Sequence, residues 1–390
     1  MQQLEFNGSG TEYFKIWIVN ILLTVVTFGI YYPWAKVRNR RYFYANSGLQ
    51  NRFFEYHATG KQLFISFIIS VVVFIAYITI QSISIVGSYV LLAMLLVAIP
   101  WLILKSLMFS MRMSSFSNVR FSFGGALVDS YKNYFLYPLV LFVGIIGLVF
   151  LEGLLLGLGI PAFIIFPLFF VGILAFFLYY SSYIKKKNLE FMINNSSYGQ
   201  ASFSTNLDLK TLLIIKAKSI GIYFLSFSII TVLAAVLVYM TVGIAQLQAL
   251  GTMSQEEVAQ AFKSPMIVIS IFMIYAGIIL SFIIMASYSM VKVREYTFAS
   301  TLLDEKVSFA STLELSTFLW IMISNFFLLL FTFGLATPWV KVRTMKYMVE
   351  HTHVEAVDGF DEYVSKKEEE HSALGEELGD TFDIDISAGI

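Results

Sequence analysis

The sequence has no cysteine, only seven prolines and few charged residues in its 390 positions. Without cysteine it can form neither disulfides nor thiolate metal sites, and it lacks a thiol nucleophile. Charged residues make up 13% of the chain, against about a quarter in ordinary soluble domains. It also contains no Walker loop, dinucleotide-binding glycine pattern, Gly-x-Ser-x-Gly elbow or His-Glu-x-x-His motif. We therefore predict that the protein is not an enzyme and that it holds no cofactor and no metal.

Long runs without any charged side chain are what the sequence has in abundance. Hydrophobic residues make up 58% of the chain and the mean hydropathy is +0.75. The charge-free runs are Gln62–Leu104, Asn133–Leu151, Gly153–Ile184, Ser219–Gln255 and Ser264–Val291. A membrane-crossing helix needs about 20 such residues, so the first run holds two helices. We predict six full transmembrane helices, arranged as three hairpins.

A twelve-residue motif near the start of the chain returns near its end. Thr27–Arg38 recurs as Thr332–Arg343 with eight identical residues, and Asn20 and Asn325 each precede their copy by seven residues. The apolar runs that carry the motif, Ile16–Ala35 and Leu315–Val340, break near Gly29–Pro33 and Gly334–Pro338. Each run either crosses the bilayer once or re-enters it. We favour re-entry, because it keeps both basic ends on one side and gives eight membrane segments in all.

Short alternating segments follow the membrane hairpins at regular intervals. They are Arg52–His57, Val119–Phe123, Ala201–Ser204 and Val307–Ala310, and Leu4–Asn7 opens the chain in the same way. Period-two alternation predicts β-strands. A strand, a membrane hairpin and a basic helix thus form a unit that we count five times. The predicted fold class is an all-α polytopic membrane protein with short cytoplasmic β-strands between the repeats.

The distribution of lysine and arginine predicts the orientation. Residues 36–61, 105–132, 185–218 and 292–306 carry six, four, six and three basic residues, whereas the opposite loops carry only Lys263. Basic loops stay in the cytoplasm, so we predict a bacterial inner-membrane protein with both termini cytoplasmic. Residues 1–10 lack the basic region of a secretory signal, so we expect the first apolar run to remain in the membrane. Ser254–Glu257 is a capping box that predicts a short helix in one opposite loop.

The end of the chain differs in composition from the rest. Thirteen of the 26 acidic residues follow Tyr347, together with only two of the 26 basic residues. An acidic, weakly apolar segment of this kind is typical of disorder. We therefore divide the chain into a repeat-built transmembrane domain, residues 1–350, and a disordered cytoplasmic tail, residues 351–390.

Several of these segments together resemble the YjgN family of bacterial inner-membrane proteins. The resemblance rests on Glu12–Asn20, the basic-aromatic run Lys36–Tyr44, Asn46–Leu49 and Phe54–Gly60, and on the paired motifs. It covers nearly all of residues 1–350. It implies an inner-membrane location and this architecture, and it implies no activity, substrate or catalytic residue.

The paired motifs supply the candidate site residues, which are Asn20, Gly29, Pro33, Trp34, Asn325, Gly334, Pro338 and Trp339. Broken membrane elements can line a solute path, because their freed backbone groups contact the solute. The same residues also suit a structural role, since asparagine bonds neighbouring helices and tryptophan anchors at the interface. Both interpretations stay open at this point, with the structural one favoured.

A second candidate set is basic: Lys36, Arg38, Arg40, Arg41, Lys341 and Arg343. These residues either bind anionic lipid headgroups, at about 1 kcal/mol each, or only fix the orientation in the bilayer. Because the positive charge follows the membrane boundaries, we do not expect nucleic acid as a partner. The expected partner is the lipid bilayer, and the sequence predicts neither a protein partner nor an oligomeric state.

Isolated polar residues carry weaker hypotheses. Glu152 is the single acid in a long apolar stretch and is a candidate proton relay, although the following glycines favour a place at the mouth of the helices. His351 and His353 lie beside acidic residues, but their spacing fits no strong metal template, so we expect a solvated linker. His57 has no acid-base partner at motif spacing.

Two functions remain. The first is a transport-class protein in which a solute or ion path runs past Asn20 and Asn325. The alternative is a non-transporting envelope scaffold or lipid-binding protein. A polar cavity between the two short elements would favour the first, and its absence would favour the second.

Overall fold

A computed structural model of the protein describes residues 1–249, 265–357, 359 and 362–369. The predicted capping box at Ser254–Glu257 lies outside these residues. Helices make up most of the described chain, and the strands that link them are short.

Six helices in the described residues are long and apolar enough to cross a membrane, which is the number that the sequence predicts. The helices as far as residue 350 are α1 (Gly10–Val26), α2 (Tyr32–Ala45), α3 (Gly60–Ile83), α4 (Ile85–Arg112), α5 (Leu127–Tyr131), α6 (Tyr137–Gly157), α7 (Ala162–Asn194), α8 (Leu209–Ala249), α9 (Pro265–Ala299), α10 (Leu315–Phe331) and α11 (Thr337–Glu350). The π-helical turn Lys132–Leu136 joins α5 to α6 as one membrane-length helix. The six long helices are α3, α4, α5–α6, α7, α8 and α9.

All described strands belong to one sheet, and it closes on itself. The strands are β1 (Gln2–Gln3), β2 (Glu5–Phe6), β3 (Ser47–Leu49), β4 (Arg52–Tyr56), β5 (Ser114–Phe116), β6 (Val119–Phe123), β7 (Ser196–Tyr198), β8 (Ala201–Thr205), β9 (Thr301–Leu303), β10 (Val307–Ser311) and β11 (Thr352–Ala356). The pairing runs β1-β11-β10 and onward to β3-β2. Only Leu4 separates β1 from β2, so the two ends of the order are one stretch of chain and the sheet is a barrel.

The chain is mostly helical, as predicted, and the barrel adds one feature to the predicted class, because the short strands form a single closed sheet. The sequence located one strand of each antiparallel pair, namely β2, β4, β6, β8 and β10. It missed β1 and β11 at the two ends of the chain. It also missed β3, β5, β7 and β9, whose three residues each are too few to show an alternating pattern. Tight turns join the pairs, and Gln50, Asn51, Ser117 and Asn118 take positive φ there, as twisted two-residue hairpins require.

The helices all leave one end of the barrel, opposite the hairpin turns, and form a ring. α2 packs against α3, α7 against α8, α9 against α10, and α11 against α1. The last contact joins the end of the chain to its beginning. The ring of helices therefore closes in the same way as the sheet beneath it.

The two motif-bearing elements are short hairpins that return to the sheet. The turn after α1 has Phe28 at φ 49° and Gly29 at φ 91°, and the turn after α10 has Phe333 at 49° and Gly334 at 83°. A glycine suits such a φ because it has no Cβ atom. α1 has 17 residues, about 25 Å of helix, which is less than the roughly 30 Å hydrocarbon core. Both ends of each hairpin connect to strands of the one sheet.

The end of the chain contributes to the barrel, which corrects the boundary placed at residue 351. β11 pairs with β10 on one side and β1 on the other. Residues 362–369 form a further helix, α12, which packs Tyr363 and Val364 into the barrel core. Its Glu368 accepts hydrogen bonds from Arg52 at 3.1 Å and from Ser117 at 2.6 Å. The composition of the tail does not reveal β11, because a strand depends on its backbone partners and composition says nothing about them.

Candidate functional site: an apolar chamber in the barrel

The barrel encloses a chamber of about 640 Å³, within the range of about 300–1,000 Å³ that is usual for small-molecule sites. Alternate residues of a strand face the same side, and the inward positions here are nearly all apolar. On the strands that lead into membrane helices these are Leu4, Phe54, Phe121, Phe203 and Phe309, and on their partners they are Leu49, Phe116, Tyr198, Leu303 and Val354. The chamber wall is therefore a double ring of apolar side chains.

Five hydroxyl groups also face the chamber, at the end nearest the helices. Each belongs to the first residue of a strand and donates to the carbonyl oxygen four residues earlier, in the last turn of the preceding helix. The donors are Ser47, Ser114, Ser196, Thr301 and Thr352, at 2.6 to 2.9 Å. These bonds satisfy carbonyls that helix ends leave unpaired. Because each proton is already donated, the ring of hydroxyls holds helices to strands and does not form a polar lining.

The last turns of the helices form the membrane-side wall, and α12 closes the opposite end. Phe43, Tyr44, Met111, Met192, Ile193, Met345 and Met348 are the main residues of this wall. Methionine side chains are flexible and fit ligands of varied shape. At the other end the Tyr198 hydroxyl donates to the Phe116 carbonyl at 3.0 Å, and burial raises the pKa of Tyr198 above its ordinary value. This hydroxyl is thus neutral at any physiological pH.

One charged residue lines the chamber in the described part of the chain, and it is Arg294 at the end of α9. Its Nε donates to Ser311 Oγ at 3.1 Å, and its Nη2 donates to Thr352 Oγ1 at 2.6 Å and to the Met348 carbonyl at 3.2 Å. Its guanidinium carbon lies 4.4 Å from the centre of the Phe298 ring. The site therefore combines an apolar volume with one oriented cation.

The residues predicted for a solute path lie in the short hairpins, apart from the chamber. Asn20 is buried, and its Nδ2 donates to Asn39 Oδ1 at 3.0 Å. Asn325 is also buried, and its Nδ2 donates to Thr344 Oγ1 at 3.0 Å. Each asparagine thus joins the two helices of its own hairpin.

The other motif residues shape the hairpins and their neighbours. Pro33 and Pro338 are fully buried at the second position of α2 and α11, where a helix tolerates proline. Trp34 packs on Gly60 of the next hairpin, and Trp339 packs on Gly10 and on the Phe14 ring, 5.0 Å between centroids. The tryptophans therefore join successive sectors of the ring.

The predicted basic cluster divides into bonded and exposed members. Arg40 donates to the Tyr56 hydroxyl at 2.9 Å, and Arg41 donates to the carbonyls of Tyr56 and Ala58. Arg38 reaches Asn20 Oδ1 at 3.4 Å, and Arg343 donates to Ser324 Oγ at 2.8 Å. Lys36 and Lys341 are exposed. The bonded arginines therefore stabilise the hairpins and their attachment to the barrel.

The remaining polar candidates lie apart from one another. Glu152 is half-buried in α6. His57 Nε2 lies 2.7 Å from Ser115 Oγ on the outside of the barrel, and His353 belongs to β11. His351 caps the end of α11 and contacts the Tyr347 ring. The segment that we expected to be a solvated linker therefore joins this helix directly to β11. Among the described residues no three histidine or acidic side chains come together as metal ligands.

Replacing Asn20 with leucine is expected to lower the free energy of unfolding by about 1 kcal/mol, the usual size of an interhelical hydrogen bond in a membrane. Asn325→Leu should act alike, because each change removes the bond between two helices of one hairpin. Thermal unfolding of the purified protein measures the effect. Ser70→Leu is the control, since the exposed Ser70 hydroxyl bonds only within its own helix. Unchanged stability together with the loss of a measured solute flux would instead favour the path hypothesis.

Sequence reasoning missed Arg294 and the chamber as a site. Arg294 belongs to a Lys-Val-Arg triplet that also occurs at residues 36–38 and 341–343, but nothing local separates it from the others. The inward phenylalanines did carry a signal, because they are the alternating residues of the predicted strands. The alternation does not reveal that the sheet closes, and it is this closure that turns the five apolar faces toward one space.

Comparison with known proteins places the chain among uncharacterised membrane proteins. Residues 1–381 match a family described as "Bacterial protein of unknown function (DUF898)". The inner membrane protein YjgN of Salmonella typhimurium is 28% identical over 364 residues, covering 90% of this chain and 88% of the relative. YjgN of Escherichia coli O157:H7 is 27% identical over 357 residues, covering 90% and 87%. The resemblance seen in the sequence is thereby confirmed. No solved structure matches.

Proposed function

The chain belongs to the bacterial family DUF898, whose function is unknown, and we propose that it is an inner-membrane lipid-binding protein whose barrel chamber takes up an apolar chain. Its relatives are named inner membrane proteins, and six of its helices can span a bilayer. The observation that carries the proposal is the apolar chamber of about 640 Å³ at the end of the barrel that joins the helices.

A hydrocarbon chain is the occupant that fits the wall chemically. Each buried CH₂ group contributes roughly 0.8 kcal/mol on transfer from water, so a chain of membrane-lipid length gains binding energy from the two apolar rings. A hydrated ion or a sugar fits this wall poorly, since the two rings of side chains are apolar and the hydroxyls already donate their protons to helix carbonyls. This chemistry favours the lipid-binding alternative over a polar solute path.

The path hypothesis has less support from the geometry. Asn20 and Asn325 are bonded inside their own hairpins, and neither lines the chamber. Among the described residues, we find no surface feature that specifically favours the scaffold hypothesis. Lipid binding is therefore the function that we carry forward.

In this proposal the protein has five strand-hairpin-helix units around one axis and eight membrane segments. The barrel, both termini and the basic helix ends lie in the cytoplasm, as the loop charges favour. The exposed Lys36 and Lys341 then face the headgroup region, where each contributes about 1 kcal/mol of attraction to anionic lipid.

One part of the helical ring is shorter than the rest, and this low sector gives lipid a route to the chamber. α10, α11, α1 and α2 are consecutive in the ring, and their two hairpins are the short ones. Phe28 and Phe333 lie at the turns of these hairpins and are 97% and 95% exposed. The short hairpins therefore end in exposed apolar side chains at a level where the long helices still continue. In the membrane these two hairpins end before the long ones do, and a chain passes over them into the space between the helix ends.

Photo-crosslinking in nanodiscs tests the chamber directly. A palmitate analogue with a diazirine in its chain is expected to label Phe121, Phe203 or Phe309 on the barrel strands, which bilayer lipid does not reach. Mass spectrometry of the peptides locates the labels. A diacyl phospholipid with the same diazirine should label helix surfaces only.

A matched pair of variants on α7 makes the test specific. Ile193→Trp fills the chamber wall and should lower strand labelling about tenfold, because an indole occupies the space of the chain. Ile164→Trp adds the same side chain at a position 51% exposed on the outside of the helix and should leave labelling unchanged. Labels confined to the helices of the wild-type protein would disprove the proposed function.

A further inference from the structure

We infer that the ligand of the chamber carries an anionic headgroup, a carboxylate or a phosphate monoester on a single chain, and that Arg294 binds it. This inference rests on the proposed function, because it names the class of amphiphile that the same chamber takes. Arg294 lines the chamber beside Phe298 and Thr352.

Arg294 has no anionic partner of its own in the described part of the chain. Its hydrogen-bond partners are the Ser311 hydroxyl, the Thr352 hydroxyl and the Met348 carbonyl, all of them neutral. Three other cations near the barrel have acidic partners: Arg52 pairs with Glu368 at 3.1 Å, Lys187 with Glu190 at 3.3 Å and Lys292 with Glu295 at 2.8 Å. A charge in apolar surroundings is unfavourable unless an opposite charge meets it, so Arg294 lacks a counter-charge that a ligand can supply.

The orientation of the guanidinium suits an anion. Nε and Nη2 are fixed by hydrogen bonds that reach α11, β10 and β11, while Nη1 has no hydrogen bond in the described residues. The Phe298 ring lies against the group at 4.4 Å and limits its rotation. A planar guanidinium held in this way presents its free N–H groups to two oxygens of a carboxylate or phosphate.

The position of Arg294 also fits the route of a membrane amphiphile. It lies about one turn before the end of α9, which packs against the short hairpin α10–α11. A headgroup bound there lies at the junction of helices and barrel, beside the low sector, while its chain extends along Phe203 and Phe309. A diacyl lipid places two chains on one headgroup, so a single-chain amphiphile fits the one chamber better.

Arg40 is the matched comparison within the same protein. It occupies the corresponding place on α2 and donates to Tyr56 in β4, as Arg294 donates to Ser311 in β10. Its guanidinium also rests on an aromatic ring, at 5.3 Å from the centroid of Tyr56. Unlike Arg294, it does not line the chamber. Loss of its charge should therefore leave the ligand preference intact.

The experiment compares three photoreactive probes of equal chain length, namely palmitate, hexadecanol and lysophosphatidate, on the full chain in neutral nanodiscs at about pH 8, where an exposed carboxyl is ionised. Anionic probes are expected to label the strands about tenfold more than the alcohol. The stronger of the two anionic probes identifies the headgroup. R294Q should reduce anion labelling to the level of the alcohol, R294K should keep part of the preference, and R40Q should keep all of it.

The possible failures are distinguishable. If no probe labels the strands of the wild-type protein, the proposed function falls and the anion assignment falls with it. If the alcohol labels as strongly as the acids, or if R294Q keeps the preference for anions, the chamber binds a chain but Arg294 does not select it. Thermal unfolding of each variant, together with alcohol labelling, separates lost folding from lost preference, since a folded R294Q still takes up the alcohol.

Discussion

Ending the chain after Glu350 is expected to abolish folding of the barrel, whereas ending it after Val357 leaves a folded protein with lower stability. The seven residues between these ends include β11, which supplies backbone hydrogen bonds to β10 and to β1 at once. Without it the barrel has two open edges and its apolar interior meets water. Arg294 also loses its bond to Thr352.

Size-exclusion chromatography and thermal unfolding in mild detergent measure the difference. The shorter chain should aggregate or unfold at least about 10 °C below the longer one, a large effect for a change of seven residues. The longer chain lacks α12, so a smaller loss is expected from uncovering the core around Tyr363 and Val364. Equal stability of the two truncated chains would show that the barrel does not need to be closed.

Gly60→Ala is expected to destabilise the helical ring by roughly 1–3 kcal/mol, the range for overpacking a filled contact. A Cβ atom at Gly60 would overlap the indole of Trp34, which also packs on the Phe64 ring of the same helix at 5.2 Å between centroids. The indole cannot yield without separating α2 from α3. Gly10→Ala should act alike through Trp339.

A double-mutant cycle and a neutral glycine make this prediction specific. Trp34→Leu removes the crowding atoms, so Gly60→Ala in that background should cost much less than in the wild type. Gly147→Ala on α6 is the control, because a Cβ atom there meets nothing within 4 Å. Thermal unfolding of the wild type and of these four variants measures the effects. Alanine has a higher helix propensity than glycine, so Gly147→Ala should cost no stability. A Gly60 variant as stable as the Gly147 variant would mean that the contact with Trp34 does not set the effect.

The paired motif shows how far local sequence reasoning extends. The Thr-Phe-Gly turn could be located because both copies contain it, and the structure gives each residue a local role. Thr27 Oγ1 accepts from the Tyr31 amide at 3.0 Å, and Thr332 Oγ1 accepts from Ala336 at 3.2 Å. The proposed solute path lacked such local support, because it depended on which helices surround Asn20 and Asn325.

The chamber shows why much of the site escaped prediction. Phe121 and Phe203 were correctly assigned to strands, yet a single strand does not say whether its apolar face meets a helix, another sheet or a cavity. The missing information was the pairing of residues far apart in the chain, such as Gln2 with Val354. Pairings of such long range leave no periodic trace in the sequence.

The sequence by itself determined that this is a membrane protein with six long apolar helices, because run length and charge content are local properties that the bilayer selects directly. It also determined where five of the strands lie, since alternation is local as well. Only the tertiary structure decided that these strands close into a barrel, that the acidic end of the chain completes it, and that Arg294 faces an apolar chamber without a counter-charge. These features depend on which distant residues become neighbours, and that is settled by backbone pairing and packing across the whole chain.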